Sequence, residues 1–519
     1  MDGPVLQIGV ICFILHGMVS GVPPEYLQKR KHIIDTEERQ RLGGTLVLNA
    51  KEQKVNAVLM AAKRKEIELS RDTGKIFPPA ISFFQAKKLI DHSAVFSIIK
   101  RMPKGGALHT HDSSITSLDW LVTNVTYRPH CYMCYTESGD VMFYFYAKPP
   151  TNTDCHWKTV ASQRQASGDA DRFDQQLVRN ISIIVDDPSS AYPTVDAVWK
   201  KFVKYFQAVN GLLNHAPVFR DYWRQALEEF RHDNVQYLEV RALLPTTYEL
   251  DGTHHGAEWA LNTYRNVTRE FVAEHPDFIG AKLIHSAVKF INKQAMLPNV
   301  KEAMVFLKKY PDFYKGFDLV GQEGLGKTLL YYLDDLLYPS QQNPPVYLPY
   351  FFHAGETDWE ETQVDDNLVD AILLNTSRIG HGFAIHKHPQ VMKIIKQRDI
   401  AVEVNPISNQ VLGLVKDLRN HAAVLLIAEN YPLVISSDDP AVWEATPLSH
   451  DFYEAFMGMT GEQTDLTFLK QLAINSIKYS AMNQQEKQAA MKLWQRKWDM
   501  FIDATVHQHY YIHIPGIMG

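Results

Sequence analysis

Eight short apolar runs recur along this chain, and polar or ionisable residues close each run at its carboxyl end. The runs lie at residues 107–109, 235–241, 279–285, 316–321, 348–356, 379–381, 400–405 and 433–438, and amphipathic helical stretches separate them. Runs that lack strict alternation and alternate with helices indicate buried parallel strands. Eight such units predict a closed (β/α)8 barrel, an α/β fold with its active-site groups at the carboxyl strand ends. A doubly wound open sheet is the alternative, but no Gly-x-Gly-x-x-Gly turn follows any run.

The remaining segments predict additions to this barrel. The 519-residue chain is 45% hydrophobic and 22% charged, which suits one large packed core. Residues 22–100 are predicted to form a separate helical region, because apolar residues recur there at helical spacing among charged ones. Residues 101–506 would form the barrel. Within it, residues 124–184 are too long for an ordinary loop and predict an inserted subdomain, and residues 507–519 are expected to form a surface tail.

The amino terminus has the pattern of a secretory signal peptide over residues 1–21. An apolar run at residues 5–15 precedes small residues at 19–21. The run is shorter than the roughly 20 apolar residues that a transmembrane helix needs. A retained anchor or a buried helix is the alternative. Four Asn-x-Ser/Thr sequons agree with secretion and predict glycosylation, at Asn124, Asn180, Asn266 and Asn375. The protein is therefore expected to be extracellular and not inserted in a membrane.

The net charge and the cysteine content limit which partners the protein can bind and which cysteine sites it can form. The formal net charge of −6 argues against nonspecific binding to nucleic acid or to an anionic membrane. Cys131, Cys134 and Cys155 remain after the signal segment, so at most one internal disulfide can form. The nearby His130 and His156 leave a zinc knuckle as an alternative, although extracellular thiols tend to oxidise.

The residues that end four of the runs carry metal-binding chemistry. His109 and His111 end the first run, and residues i and i+2 of a strand point to the same side, so both imidazoles are expected at the barrel mouth. The sequences HAGE, IGHG and SSDDP end three other runs and contribute His353, Glu356, His381, Asp438 and Asp439. Each of these could alone be a satisfied polar residue or a helix cap. Together they supply enough ligands for a tetrahedral zinc site, with acid–base groups to spare.

These motifs resemble the adenosine deaminase family. The segments MPKGGALHTHDSS, FFHAGETD, SRIGHGFAIHKHP, VEVNPISNQVLGLVKDLRNH and VISSDDPAVW carry the resemblance, which covers nearly the whole chain. More narrowly, the chain is similar to the secreted branch, the adenosine deaminase-related growth factors. The resemblance implies one zinc ion per chain, with four protein ligands: His109, His111, His353 and Asp438.

The resemblance also implies roles for the other site residues. Glu356 matches the proton donor to purine N1, and His381 matches the residue that orients and electrostatically supports the attacking hydroxide. The implied substrate contacts are Asp439 with N7, the Gly321 amide with N3, Asp112 with the ribose, and Trp199 along the ribose side. The implied reaction is hydrolytic deamination of adenosine to inosine and ammonia, with 2′-deoxyadenosine as a second expected substrate.

Elementary chemistry agrees with that reaction. Displacing ammonia from C6 needs a strong nucleophile at neutral pH, which zinc supplies by lowering the pKa of water to about 7. A carboxylic acid that protonates N1 makes C6 electrophilic, and this requires a raised pKa at Glu356. The cytidine-deaminase signature, His-x-Glu with Pro-Cys-x-x-Cys, does not occur.

The resemblance further implies a disulfide, an assembly and a second role. Cys131 is expected to pair with Cys155, and the helical region at residues 22–100 is expected to form a homodimer interface. One alternative function is a related metallohydrolase that acts on another purine or an amide. The other is an extracellular growth factor or receptor ligand that acts through the helical region and the insert. Its partner would be a cell-surface receptor or a glycosaminoglycan.

Overall fold

Two four-stranded parallel sheets form the centre of the computed structural model, which describes residues 22–151 and 155–512. The predicted signal segment, residues 1–21, lies outside the described residues, as do residues 513–519 of the predicted tail. The strands are β1 (Gly105–His111), β2 (Cys131–Tyr135), β3 (Val141–Phe145), β4 (Lys158–Thr159), β5 (Val235–Ala242), β6 (Thr247–Tyr248), β7 (His254–His255), β8 (Gly280–Val288), β9 (Tyr314–Val320), β10 (His353–Ala354), β11 (Arg378–His381), β12 (Ala401–Val404) and β13 (Leu433–Ile435).

Each strand of the two parallel sheets overlaps one of the eight apolar runs. One sheet has the order β1-β5-β8-β9 and the other the order β10-β11-β12-β13. Isolated parallel bridges link the two sheets, Thr110 with Asp438 and Phe317 with Tyr350. Nearly every residue of β5, β8 and β9 is buried, which explains why these runs lack polar alternation. The α/β fold with parallel strands is therefore confirmed.

Helices connect the successive parallel strands and flank the sheets. The helices are α1 (Pro24–Gln40), α2 (Ala50–Thr73), α3 (Phe83–Asp91), α4 (Ala94–Arg101), α5 (Leu118–Trp120), α6 (Val160–Ala166), α7 (Ala170–Ile181), α8 (Pro188–Ala191), α9 (Val195–Leu213), α10 (Ala216–His232), α11 (Ala257–Glu274), α12 (Lys293–Lys309), α13 (Leu333–Leu337), α14 (Asn367–Leu373), α15 (Pro389–Arg398), α16 (Pro406–Val411), α17 (Ala423–Ala428), α18 (Ser449–Gly458), α19 (Leu466–Lys478) and α20 (Gln484–Ile512). Across the described ranges, no helix is both long enough and apolar enough to cross a bilayer.

The N-terminal region is helical, in four separate helices. A capping box starts α2, since the Asn49 side chain accepts from Glu52 N at 3.0 Å and Glu52 Oε2 accepts from Asn49 N at 2.8 Å. A non-helical segment that contains Gly43 connects α1 to α2. The φ of Gly43 is +80°, and a Cβ at this position would lie 2.7 Å from the carbonyl oxygen of Thr467, so the segment requires glycine here. Glu52 also accepts a 2.7 Å hydrogen bond from the indole of Trp498. Helix α2 is therefore attached to α20 by packing and by hydrogen bonds.

The predicted insert contains the disulfide, and its predicted pairing is wrong. Strand β2 pairs antiparallel with β3 and β4, and Cys134 of this strand is bonded to Cys155 across a Cα–Cα distance of 5.9 Å. Residues 131 and 134 of one strand point to opposite faces because strand side chains alternate. Cys131 therefore faces the hydrophobic core and stays free, and burial raises the pKa of its thiol to about 12. Cys131 is then the single free thiol in the part of the chain that the structure describes, so the insert has no pair of thiols for a zinc knuckle.

We expect removal of the disulfide to lower the free energy of unfolding by about 3 kcal/mol, because the bridge closes a loop of roughly 20 residues. The variant combines Cys134→Ser with Cys155→Ser and is measured by denaturant unfolding. Cys131→Ala is the matched control, since it removes a thiol and keeps the bridge. Peptide mapping that finds Cys131 in a disulfide of the native protein would contradict the assignment.

Candidate active site

The predicted site residues meet in one cavity of about 930 Å³. Of the ten predicted metal-binding, catalytic and substrate-binding residues, nine line the cavity: His111, Asp112, Trp199, Gly321, His353, Glu356, His381, Asp438 and Asp439. The tenth, His109, is fully buried, and its ring centre lies 4.5 Å from that of His353. The fold thus brings all ten residues together.

His109, His111, His353 and Asp438 form a group of four potential metal ligands. One ligand atom from each lies within 4.8 Å of the others. Oδ1 of Asp438 is 3.3 Å from Nε2 of His109 and 3.0 Å from Nε2 of His111. Among the described residues, neither Asp438 Oδ1 nor His109 Nε2 has a partner with hydrogen-bond geometry, although both are buried. Buried polar atoms without partners are expected where a cation binds, and three imidazoles with one carboxylate suit a tetrahedral metal site.

Two buried carboxylates support the histidines from the side away from the cavity. Oε2 of Glu403 lies 2.7 Å from Nδ1 of His109, and Oδ2 of Asp318 lies 2.7 Å from Nδ1 of His353. A carboxylate that accepts the Nδ1 proton leaves Nε2 free for a metal, and such pairs are typical of metal sites. Burial alone would raise the pKa of Glu403, but the neighbouring guanidinium groups hold it well below its usual range.

Two arginines that lie outside the strand-end motifs neutralise these carboxylates. Arg241 donates from Nε to Asp318 at 3.0 Å and from Nη2 to Glu403 at 2.5 Å. Arg378 donates from Nε to the second oxygen of Glu403 at 2.6 Å. All four groups are buried within strands. A charged residue inside an apolar strand must be paired, and this is the signal in the sequence that could have identified them.

The local backbone aims two of the site residues into the cavity. His381 ends β11 and Asp438 follows β13, and both have φ near +59°, in the left-handed region. Residues other than glycine rarely adopt this backbone conformation, and residues strained in this way are concentrated at functional sites. Asp438 is held there by backbone hydrogen bonds of 3.1 Å with His109 and His111. Gly380 allows the close packing beside them, since a Cβ there would lie 3.0 Å from Cε1 of His109.

Glu356 is buried at the turn after β10. Glu323 holds this turn by accepting from Glu356 N at 2.6 Å and from Gly355 N at 3.2 Å. Oε1 of Glu356 lies 3.5 Å from Nδ1 of His381. Burial, with the nearby carboxylates of Asp438 and Glu323, raises the pKa of Glu356 well above its usual range. The side chain can therefore carry a proton at neutral pH, as an acid in a reaction must.

Two further acidic side chains are oriented by hydroxyl groups of neighbouring residues. Asp439 accepts a short hydrogen bond from the hydroxyl of Ser114. Asp112 accepts a 2.8 Å hydrogen bond from the hydroxyl of Tyr264, and burial raises the pKa of Asp112 to about 6. Both carboxyl groups face the same cavity as Glu356 and can bind polar edges of a small molecule.

Comparison with known proteins agrees with this site. Residues 179–495 match the family model for adenosine deaminase, and residues 10–99 match the model for the adenosine/AMP deaminase N-terminal region. The chain is 48% identical to Adenosine deaminase 2 of Pongo abelii, over 92% of this chain and 93% of that protein. It is 46% identical to Adenosine deaminase 2 of Homo sapiens, over 97% and 98%. An adenosine deaminase of Phlebotomus duboscqi is 43% identical, over 93% and 94%.

Solved structures share the fold. The N6-methyl-AMP deaminase of Arabidopsis thaliana superposes with a TM-score of 0.55 at 17% identity, covering 77% of this chain and 98% of that one. An adenine deaminase of Arthrobacter aurescens gives a TM-score of 0.53 at 16% identity, covering 76% and 98%. With the family models and the sequence relatives, the resemblance inferred from the motifs is confirmed: the chain belongs to the adenosine deaminase family of hydrolases.

Proposed function

We propose that this protein catalyses the hydrolytic deamination of adenosine to inosine and ammonia, with one zinc ion per chain. The observation that carries the proposal is the convergence of the four potential ligands with Glu356 and His381 in one buried cavity. Family membership supports it, as do the names of the relatives. We propose 2′-deoxyadenosine as a second substrate.

We assign zinc to His109, His111, His353 and Asp438. The Nδ1 contacts of His109 and His353 with carboxylates favour the tautomer whose Nε2 lone pair is free for the ion. Oδ2 of Asp438 accepts a 2.7 Å hydrogen bond from the hydroxyl of Ser408, which leaves Oδ1, beside His109 and His111, for the ion. When bound, zinc acts as a Lewis acid and makes a strong nucleophile available at neutral pH.

The side chains around the ion have separate tasks in this proposal. Glu356 holds a proton because its pKa is raised, and giving that proton to purine N1 makes C6 electron-poor. Burial lowers the pKa of His381 well below its usual range, so the imidazole is neutral and orients the attacking oxygen. The remaining contacts follow the family pattern: Asp439 with N7, the Gly321 amide with N3, Asp112 with the ribose, and Trp199 along the ribose side.

We infer that the eight parallel strands close into a (β/α)8 barrel. The bridges of Thr110 with Asp438 and of Phe317 with Tyr350 support closure, because they join the two sheets at their two seams. Closure would gather the carboxyl ends of β1, β10, β11 and β13 around one mouth. A crystal structure in which one seam is open to solvent would overturn this inference.

The activity is tested by following ammonia release and the ultraviolet absorbance of adenosine with the purified protein. We expect one zinc ion per chain by elemental analysis, and loss of activity with a chelator that zinc reverses. Adenine and AMP are the comparison substrates and are expected to react more slowly. Full activity in protein that holds no metal would exclude the zinc assignment. A preference for AMP or adenine would place the protein in another substrate class.

We also propose that the protein is secreted and glycosylated. The apolar run at residues 5–15 is the supporting observation for secretion. Asn124, Asn266 and Asn375 are exposed, whereas Asn180 is half-buried, so the first three are the more accessible acceptors. Protein from the medium of eukaryotic cells is expected to begin near residue 22 and to lose mass with a glycosidase. An exported chain that still begins with Met1 would exclude a cleaved signal.

We propose a homodimer that forms through the N-terminal helices. Helix α1 has no buried residue, and it exposes Tyr26, Leu27 and Ile33 by 60%, 41% and 58%. Large apolar side chains grouped on an exposed helix mark an interaction surface. Light scattering is expected to give the mass of two chains, and that of one chain for Tyr26→Asp combined with Ile33→Asp. Lys31→Ala on the same helix is the control, and a monomeric wild type at micromolar concentration would refute the proposal.

A further inference from the structure

A chain of hydrogen bonds runs from the backbone at the start of α17 to His381. The N–H of Ala423 donates to Nδ1 of His421 at 3.0 Å. Nε2 of His421 lies 2.9 Å from Oδ1 of Asn409, and Nδ2 of Asn409 lies 3.0 Å from Nδ1 of His381. The three side chains are 0–2% exposed, so their polar atoms must find partners inside the protein.

The first of these hydrogen bonds determines the direction of the others. A backbone N–H can only donate, so Nδ1 of His421 accepts and carries a lone pair. The proton of His421 is therefore on Nε2, which donates to Asn409. The amide oxygen of Asn409 must then face His421, and its NH2 group must face His381. It follows that Nδ1 of His381 accepts and that its proton is on Nε2.

We propose that this relay, from Ala423 through His421 and Asn409, fixes His381 in the tautomer that carries its proton on Nε2. Nε2 of His381 lies on the side of the metal group, 3.6 Å from Oδ2 of Asp438. His381 therefore presents an N–H to the oxygen that attacks C6, and it holds that oxygen by donating a hydrogen bond rather than by removing a proton.

The relay residues have a different role from the residues that contact substrate. Asn409 and His421 are positioning residues, because they act through His381 and lie behind it, while His381 itself lines the cavity. The catalytic role of His381 rests on the proposed deaminase function. The tautomer does not, because it follows from hydrogen-bond directions alone.

Asn405, which lies beside Nε2 of His381, fits this tautomer after its amide oxygen and nitrogen are exchanged. Its Nδ2 lies 3.5 Å from Nε2 of His381, at the limit of hydrogen-bond distance, and its Oδ1 has no partner among the described residues. Turning the amide by 180° exchanges these atoms, which are close in size and shape. The unpaired oxygen then faces the Nε2 proton, and the long 3.4 Å hydrogen bond from Nδ2 to the carbonyl oxygen of Glu403 is lost.

The variant Asn409→Asp tests the direction of the relay with little change in volume. A carboxylate can still accept from His421, but it cannot donate to His381, so His381 is driven to carry its proton on Nδ1 and to face the cavity with a bare Nε2. In the zinc-loaded enzyme we expect kcat to fall by at least ~10²-fold, as for a lost acid–base or orienting group. KM and zinc content are expected to change little.

His421→Gln is the matched conservative variant. The glutamine oxygen can accept from the N–H of Ala423 and its NH2 group can donate to Asn409, so the direction of the relay is kept. We expect this variant to retain most of the wild-type kcat, whereas His421→Leu, which can neither accept nor donate, is expected to lose it. Equal kcat values in the glutamine and leucine variants would overturn the proposal.

Nitrogen-15 NMR of zinc-loaded wild-type protein with labelled histidine reads the tautomer directly and without substrate. We expect a protonated Nε2 and a bare Nδ1 for His381, assigned by the loss of these signals in His381→Gln. A protonated Nδ1 in the wild type would overturn the relay, as would normal kcat in folded, zinc-loaded Asn409→Asp. If the wild type has the expected tautomer but does not deaminate adenosine, the relay stands and the proposed function fails.

Discussion

Glu356→Gln is expected to give a folded, zinc-loaded protein whose kcat is lower by ~10²–10⁴-fold, about 2.7–5.5 kcal/mol at the barrier. Glutamine keeps the volume of the side chain and can still donate a hydrogen bond, but it cannot deliver a proton. Adenosine binding should therefore weaken little. Glu356 lies outside the group of four potential ligands, so zinc content should stay at one per chain.

The measurement pairs kcat with the melting temperature of the same sample. Glu360→Gln is the matched control, since it makes the same change at an exposed position of the same loop. A glutamate that served only to stabilise the turn after β10 would lower the melting temperature and leave kcat nearly intact. That result would remove Glu356 from the mechanism and, with it, much of the deaminase proposal.

His111→Ala is expected to abolish activity together with metal binding. The substitution removes one of four ligands from a site whose remaining groups are three buried side chains. Loss of an outer-shell partner typically costs 10–100-fold in metal affinity, so loss of a ligand should cost more than ~10²-fold. Elemental analysis and competition with a chelator measure the affinity, and an exposed histidine, His386, provides the control variant His386→Ala.

Asp318→Asn is expected to have a zinc affinity between those of the wild type and His111→Ala. It leaves all four ligands in place but replaces the carboxylate that accepts from Nδ1 of His353 and pairs with Arg241. We expect about 10–100-fold weaker zinc binding, with activity restored at high zinc concentration. If His111→Ala bound zinc as tightly as the wild type, the four-ligand assignment would be wrong.

Much of the fold and the site could be predicted because both depend on local patterns. A strand buried on both faces is mostly apolar, so a cluster of polar residues after an apolar run marks the region of its carboxyl end. His109, His353 and His381 could therefore be recognised as strand-end residues before any tertiary contact was known. Strand bounds were less predictable: the run at residues 348–356 contains only the two-residue strand β10, because hydropathy marks burial and not backbone pairing.

The pairing of the cysteines could not be predicted from spacing. The choice between Cys131 and Cys134 depends on which face of β2 covers the core, and that face is set by the pairing of β2 with β3 and β4. Both cysteines lie in one short strand only three residues apart, so their separations from Cys155 are nearly the same. Only the orientation of their side chains distinguishes them.

The amino-acid sequence by itself determined the parallel α/β fold, the family, and which residue types stand at the strand ends. Tertiary structure decided which atoms those residues meet. Glu403 holds His109 across 294 positions of sequence, Arg241 joins Glu403 to Asp318, and the backbone of Ala423 directs the proton of His381 through two side chains. Periodicity encodes which face of an element is buried, whereas a hydrogen bond between distant residues depends on backbone angles and packing that form only in the folded chain.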